Sequence, residues 1–171
     1  MGYALFTGRL DVRAAREPYD RSRALGHGDA DVLNRYALYS ARTGRFDEAR
    51  RAIGRVATLD PFNPRVFRSV GAVEYAARQY AESIPPIERA LELNSRMGGA
   101  RAAIGASQLM LGQVAEANQS FAAEHNSLFG LPGIAIVARK QGRNAEAEAA
   151  LARLVAEHGA NGLYQQAHLA L

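Results

Sequence analysis

Four histidines, at positions 27, 125, 158 and 168, are the side chains in this sequence best suited to metal binding or acid–base catalysis. No two of them stand four residues apart, the spacing that lets two imidazoles on one helix share a metal ion, and none falls in a pattern that predicts a catalytic triad. The sequence contains no cysteine, which excludes thiol catalysis, disulfides and cysteine-ligated metal. We therefore expect no enzymatic activity, no metal and no cofactor.

Arginine is the other side chain with chemistry to offer, because its planar guanidinium binds carboxylates and phosphates through two parallel hydrogen bonds. Two groups of arginines stand out, the first being Arg9, Arg13, Arg16, Arg21 and Arg23 and the second Arg50, Arg51 and Arg55. Together they raise nucleic-acid binding as one hypothesis. Asp11, Glu17 and Asp20 dilute the first group, however, and a formal net charge of +4 falls well short of a strongly basic domain. Nucleic acid is the less favoured partner.

The elements that must position these side chains are helices. Hydrophobic residues make up 48% of the chain and aromatic residues only 8%, and a core dominated by alanine suits close helix packing better than a sheet. Apolar residues recur at helical spacing, as at Leu33, Tyr36 and Ala37, and a second stripe follows each first one, as at Ala49 and Ile53. The sequence predicts an all-α protein.

Pairs of such stripes repeat along the chain. Gly44, Arg78 and Gly112 are spaced 34 residues apart, Gly142 follows after a shorter step of 30, and each falls in a turn between two stripes. Every stripe also has a small residue where helices must approach closely. These small residues are Ala37, Gly71, Gly105 and Ala135 in the first stripes and Ala49, Ser83, Ala117 and Ala147 in the second. The pattern predicts repeated helix–turn–helix units.

These positions resemble the tetratricopeptide repeat family. The first repeat, from Asp31 through Gly44-Arg45-Phe46-Asp47-Glu48-Ala49 to Asp60-Pro61, is a near-complete match, and the second, ending in Ala90-Leu91-Glu92-Leu93-Asn94, is nearly as good. The resemblance implies an α-α superhelix, a right-handed solenoid of antiparallel helix hairpins that serves as a protein-interaction scaffold. The chain is similar to the repeat regions that follow winged-helix or nucleotide-cyclase domains in bacterial regulators.

On this resemblance, residues 1–171 form a single array. The expected pieces are a lone helix at 11–25, repeats at 30–63, 64–97, 98–127 and 128–159, and an orphan or capping helix at 161–171. The stretch from Asn126 to Gly133 is predicted to be a turn-rich connector, with Pro132 at the first position of a helix. Three positions depart from the family's pattern: Arg78 at a turn glycine, Arg101 at a bulky apolar position and Glu124 at a small core position.

The resemblance further implies a concave groove, lined mainly by the first helices, that holds a peptide or helix of a partner protein. Carried onto this sequence, the groove residues are Asn34, Leu38, Arg42, Arg65, Arg68, Tyr75, Leu109, Met110 and Arg139. The arginines would pair with carboxylates of an acidic partner segment while the apolar side chains contact its apolar residues. The alternative is that these arginines only solvate an exposed face.

One ligand class of the family is not expected here. The carboxylate clamp that grips a chain-terminal acid needs polar or basic groups at two positions that Leu38 and Ala103 occupy in this sequence. A chaperone C-terminus is therefore not the expected ligand.

Self-association is a further hypothesis. Residues 161–171 have no hairpin partner, so that Leu163, Ala167, Ala170 and Leu171 would expose an apolar face. A second copy of the chain could bury that face in a homo-oligomer, or the helix could simply cap the last repeat.

No apolar run approaches the roughly 20 residues that a membrane-spanning helix needs. We therefore expect no membrane association. A cytoplasmic location is favoured, with the periplasm as the alternative if the array belongs to a longer membrane-anchored protein.

Overall fold

The computed structural model describes residues 2–9 and 11–162, and within them the secondary structure is helical, with no strand. A π-helical turn at Ala4–Gly8 comes first. The α-helices follow as α1 (Arg16–Leu25), α2 (Ala30–Arg42), α3 (Phe46–Leu59), α4 (Pro64–Ala76), α5 (Tyr80–Leu93), α6 (Ala100–Met110), α7 (Val114–Ala122), α8 (Ser127–Lys140) and α9 (Asn144–His158). A 3₁₀ turn at Gly159–Gly162 ends the described part. The all-α prediction is confirmed.

The chain divides into two compact units, unit 1 (residues 1–86) and unit 2 (residues 87–171). The division falls inside α5, directly after Pro85 and Pro86, both of which lie within the helix. In unit 1, α2 packs against α1, α3 and α4, and α3 also packs against α4. In unit 2, α7 and α8 pack against each other, α6 contacts both, and α9 packs on α8. Each unit is thus built from helices that contact their neighbours in the sequence.

The core of unit 1 is formed by the predicted stripes. Leu33, Tyr36 and Ala37 of α2 and Ala49 and Ile53 of α3 are all buried, because the small alanines allow the two helices to approach closely. An aromatic group formed by Phe6, Tyr19 and Tyr39 then extends this core. The rings of Tyr19 and Tyr39 stack with centroids 4.2 Å apart, and the Phe6 ring meets both edge-on. The segment before α1 is therefore anchored by its aromatic side chain.

A bidentate ion pair joins successive hairpins in unit 1. Arg50 of α3 donates from Nε and Nη2 to the carboxylate of Glu74 on α4, with the shortest contact, Nη2 to Oε2, at 2.7 Å. These hydrogen bonds raise the pKa of Arg50. Arg50 is therefore committed to a structural contact, which removes it from the second arginine group as a ligand-binding candidate.

The start of α8 corrects the predicted connector at 126–133. Asn126 is the N-cap, its side chain accepting a hydrogen bond from the backbone N–H of Leu128 at 3.0 Å, and the helix runs on from Ser127 through Pro132. The prediction weighted the glycines and the proline as turn signals and overlooked the capping asparagine. Pro132 accordingly lies inside α8 and not at its first position.

Two glycines of unit 2 make room for one aromatic ring. Phe121 of α7 is buried, and a Cβ added to Gly105 of α6 would lie 2.9 Å from its ring. A Cβ on Gly133 of α8 would overlap the ring of Phe121 outright. Both helices therefore approach α7 more closely than any larger residue would allow.

Glu124, the polar residue at a small core position, is almost fully buried in unit 2. One carboxylate oxygen accepts the backbone N–H of Ala102 in the first turn of α6 at 3.3 Å, and the other accepts the N–H of Asn126 at 3.0 Å. The N-cap of α6, Gly99, has no side chain to perform this task. Glu124 thus satisfies two backbone donors and places its negative charge near a helix N-terminus.

The four turn positions of the predicted repeat all adopt a left-handed backbone. Gly44, Gly112 and Gly142 have φ of 79°, 79° and 73°, and Arg78 has φ of 61°. Glycine accepts this conformation at no steric cost, whereas a residue with a Cβ does not. The shared geometry explains why this position carries glycine in three turns out of the four.

We expect Arg78→Gly to raise the free energy of unfolding by about 1 kcal/mol, because it removes the Cβ strain from an exposed left-handed position. Urea denaturation followed by circular dichroism would measure the change. Gly44→Ala is the matched reverse substitution and should lower the stability by a similar amount. A stability loss in Arg78→Gly would contradict the expectation.

Residues 163–171 of the predicted terminal helix at 161–171 lie outside the described residues. The self-association hypothesis, which depends on Leu163, Ala167, Ala170 and Leu171, stays a prediction for the same reason.

Candidate functional site

The predicted groove residues lie on the first helix of their hairpins, in two separate sets. Unit 1 carries Asn34, Leu38 and Arg42 on α2 with Arg65, Arg68 and Tyr75 on α4, and unit 2 carries Leu109 and Met110 on α6 with Arg139 on α8. Within unit 1, α2 contacts α4, and within unit 2, α6 contacts α8. The structure therefore brings the six residues of unit 1 onto two adjacent helices, which we call the α2–α4 face.

A cavity of about 300 Å³ lies on this face, between the N-terminal halves of α2 and α4. It is lined by Asn34, by the guanidiniums of Arg35 and Arg65, and by the carboxylates of Asp31 and Asp60. The side-chain oxygen of Asn34 is buried and has no hydrogen-bond partner within the described ranges. A buried amide oxygen without a partner costs about 1–3 kcal/mol, and a hydrogen-bond donor that reached this oxygen would offset that cost.

The remaining residues of the α2–α4 face differ in their freedom to bind. Arg65 and Arg68 are exposed, and neither guanidinium forms an ion pair in the part of the chain that the structure describes. Arg42 lies over the ring of Phe6, 6.0 Å from its centroid. Leu38 is half-buried and packs against the core of unit 1, so part of its role is structural.

Tyr75 offers the apolar side chain of this face. It is 38% exposed and packs edge-on against Tyr80, with ring centroids 5.3 Å apart. Burial raises the pKa of its hydroxyl above the ordinary value, with a further contribution from Tyr80. The Tyr75 phenol is therefore neutral at physiological pH and presents both a ring edge and a hydrogen-bonding group.

In unit 2, the three predicted groove residues differ in how far they are exposed. Leu109 is half-buried and packs against the cluster around Phe121 and Val137, which explains the residue by packing alone. Met110 is 53% exposed and Arg139 is also exposed. The binding role of all three stays a prediction.

A larger cavity, of about 800 Å³, lies in unit 1 among α1, α2 and α3. We call it the arginine cavity, because its lining includes Arg16, Arg23, Arg45, Arg51 and Arg55, together with the carboxylates of Asp20 and Glu48. Its residues come from both arginine groups of the sequence. Sequence reasoning identified four of these arginines only as members of two separate clusters, and missed that one cavity unites them.

Tyr36 of α2 also lines the arginine cavity. Its hydroxyl donates a hydrogen bond to Glu48, and the guanidiniums of Arg23 and Arg45 lie over its ring at 5.0 and 5.6 Å from the centroid. Burial raises the pKa of Tyr36, and its hydrogen bond to Glu48 adds to the increase. The phenol stays protonated and keeps Glu48 in place as an acceptor.

Solved structures with the same arrangement of helices decide the fold. The crystal structure of MamA is 14% identical and superposes with a TM-score of 0.64, covering 96% of this chain and 94% of that one. PilF of Pseudomonas aeruginosa is 19% identical with a TM-score of 0.63, covering 96% and 76%. YrrB, described as a TPR protein with an unusual peptide-binding site, is 19% identical with a TM-score of 0.59, covering 94% and 86%.

The chain has the tetratricopeptide-repeat fold. The predicted all-α solenoid of helix hairpins is thereby confirmed, while the likeness to the repeat regions of bacterial regulators stays a prediction. No protein-family model matches the sequence, and no curated protein matches it. At these identities the tetratricopeptide-repeat neighbours establish the fold, and what the chain binds must be argued from its own residues.

Two findings on the described ranges bear on other classes of function. No helix in them is long and apolar enough to cross a bilayer. Nor do three His, Asp or Glu side chains come together there in a way that would hold a metal ion.

Proposed function

We propose that the chain is a protein-interaction module whose α2–α4 face binds an extended, acidic segment of a partner protein. The observation that carries the proposal is the buried, unpartnered oxygen of Asn34 in a cavity that it shares with Arg65. A described peptide-binding site in the structural neighbour YrrB supports the same class of ligand.

The Asn34 amide favours a polypeptide as the ligand. An extended segment carries backbone N–H and C=O groups at regular intervals, and an amide side chain can accept from one and donate to the other. Pairing the buried oxygen with a backbone N–H removes the desolvation cost that the empty face bears. The interaction is independent of the ligand's sequence, which suits the recognition of main chain.

The arginines add a preference for acidic residues. Arg65, Arg68 and Tyr75 follow one another at helical spacing, so they lie on one side of α4. Asn34, Leu38 and Arg42 lie on one side of α2 in the same manner. A segment that alternates carboxylates with apolar side chains would pair with the guanidiniums and also contact the ring of Tyr75.

Isothermal titration calorimetry with two peptides tests the proposal, one alternating glutamate with leucine and the other alternating lysine with leucine. We expect the glutamate peptide to bind and Arg65→Ala/Arg68→Ala to weaken it by about tenfold or more, since two charge-assisted contacts are lost. Asn34→Ala should also weaken binding. Its effect should appear with glutamate peptides of any side-chain order.

Arg13→Ala/Arg21→Ala is the matched control, because both residues are exposed, carry the same charge and lie outside the cavity lined by Asn34 and Arg65. An equal loss of affinity in this control would mean that binding is only diffuse charge attraction. Failure of the glutamate peptide to bind, or equal binding of the lysine peptide, would contradict the proposed ligand class.

A further inference from the structure

We propose that the arginine cavity of unit 1 is a second binding site, and that it takes a small polyphosphate anion. Its residues differ entirely from those of the cavity that contains Asn34. The proposal therefore stands or falls independently of the peptide site.

The charge balance of the cavity favours an anion. Five guanidiniums line it against two carboxylates, and they come from α1, from α3 and from the turn that precedes α3. Positive charges gathered in a concave volume produce a stronger potential than the same charges spread over a convex surface. The cavity thus concentrates most of the chain's modest positive charge at one place.

The two carboxylates hold the wall of the cavity in position. Arg45 donates from Nη1 to Asp20 at 3.2 Å and to Glu48 at 3.4 Å, while its Nη2 atom is buried without a partner. Arg55 donates from Nε to the backbone oxygen of His27 at 3.0 Å. Both guanidiniums are fixed by these contacts, and the exposed Arg55 keeps its terminal N–H groups for a ligand.

Two other arginines carry no ion pair in the described ranges. Arg23 lies over the ring of Tyr36, and the side chain of Arg51 is exposed. Arg23 lies on α1 and Arg51 on α3, so that an anion between them would bridge the two helices.

The size of the cavity and the spread of its arginines point to a compact ligand with several anionic groups. A volume of about 800 Å³ falls within the range of small-molecule sites. A single carboxylate engages one guanidinium, whereas adjoining phosphate groups present many oxygens to several guanidiniums at once. A nucleic-acid duplex is too wide to enter such a volume and would contact only its rim.

Isothermal titration calorimetry of the full chain with inorganic tripolyphosphate, citrate and a single-stranded oligonucleotide tests the proposal at physiological ionic strength. We expect tripolyphosphate to bind with one-to-one stoichiometry and more tightly than citrate or the oligonucleotide. Arg23→Gln/Arg51→Gln should weaken it by about tenfold or more, because two charge-assisted contacts are lost.

Arg13→Gln/Arg21→Gln removes the same charge from residues that do not line the cavity and should change the affinity by less than about twofold. The conservative variant Arg51→Lys keeps the charge but loses the guanidinium fork, so an intermediate loss is expected. Circular dichroism establishes that each variant is folded. Should the double variant unfold, Arg51→Gln alone still tests the site, because that side chain is exposed and its replacement leaves the core intact.

Three results would overturn the proposal. The first is the absence of tripolyphosphate binding to the wild type. The second is equal weakening by the cavity pair and the control pair, which would indicate diffuse electrostatic attraction. The third is tighter binding of citrate or of the oligonucleotide, which would assign the cavity to polycarboxylates or the surface to nucleic acid.

Discussion

Gly133→Ala should lower the free energy of unfolding by about 3 kcal/mol, the largest effect we expect from a single added methyl group in this chain. The added Cβ would overlap the ring of Phe121, including the Cγ atom by which the ring is attached, so the ring cannot swing aside as a flexible side-chain tip can. Either α8 must move away from α7 or the ring must leave its rotamer. Urea denaturation monitored by far-UV circular dichroism would measure the loss.

A double-mutant cycle distinguishes this clash from a general cost of alanine. Phe121→Ala alone should cost about 3–5 kcal/mol through the cavity that it leaves. The pair Gly133→Ala/Phe121→Ala should cost clearly less than the sum of the two single changes, because the methyl group then enters space that the ring has vacated. Strict additivity would contradict the proposed clash.

Gly54→Ala is the matched control for this substitution. Gly54 lies within α3, and a Cβ placed there would have no neighbour within 4 Å. Alanine should therefore stabilise that helix by up to about 1 kcal/mol through its higher helix propensity. The same chemical change thus has opposite signs at the two positions.

Glu124→Ala should cost about 3 kcal/mol, the second large effect. The substitution leaves the backbone N–H groups of Ala102 and Asn126 without their acceptor in a buried place, and each such loss costs about 1–3 kcal/mol. It also removes a negative charge from beside the N-terminus of α6. Urea denaturation would again give the free-energy difference.

Glu124→Gln separates the two contributions. Glutamine has nearly the same shape and keeps one oxygen acceptor, so we expect a loss of about 1 kcal/mol. Equal losses in the alanine and glutamine variants would mean that the charge carries the whole effect. The family pattern has a small residue such as alanine at this position. An alanine variant as stable as the wild type would therefore show that the carboxylate of Glu124 is not needed here.

The repeat itself could be predicted because its signals are local and recur. The turn position at Gly44, Arg78, Gly112 and Gly142 was found from spacing alone, and all four residues share the left-handed conformation. The start of α8 was missed because a capping asparagine is a single-residue signal, outweighed in the sequence by Gly130, Pro132 and Gly133 nearby. The glycines there serve packing, and only the ring that fills the space reveals it.

The candidate sites were less accessible to sequence reasoning. Asn34 and Arg65 follow from the family resemblance, but the unpartnered oxygen that makes Asn34 informative depends on every neighbour in space. The arginine cavity unites residues as far apart in sequence as Arg16 and Arg55, and spacing along the chain contains no sign of their approach. Glu124 stands out in the sequence as an anomaly, and part of its explanation, the backbone N–H of Ala102, lies 22 residues away along the chain.

The distribution of aromatic residues supplies an internal optical reporter. Tryptophan is absent, so the intrinsic fluorescence comes from seven tyrosines, of which all but Tyr164 belong to unit 1. The stacked rings of Tyr19 and Tyr39 place part of that emission in its core. A thermal melt of Gly133→Ala, followed by both tyrosine emission and helical ellipticity, would therefore show whether destabilising unit 2 also changes the unfolding of unit 1.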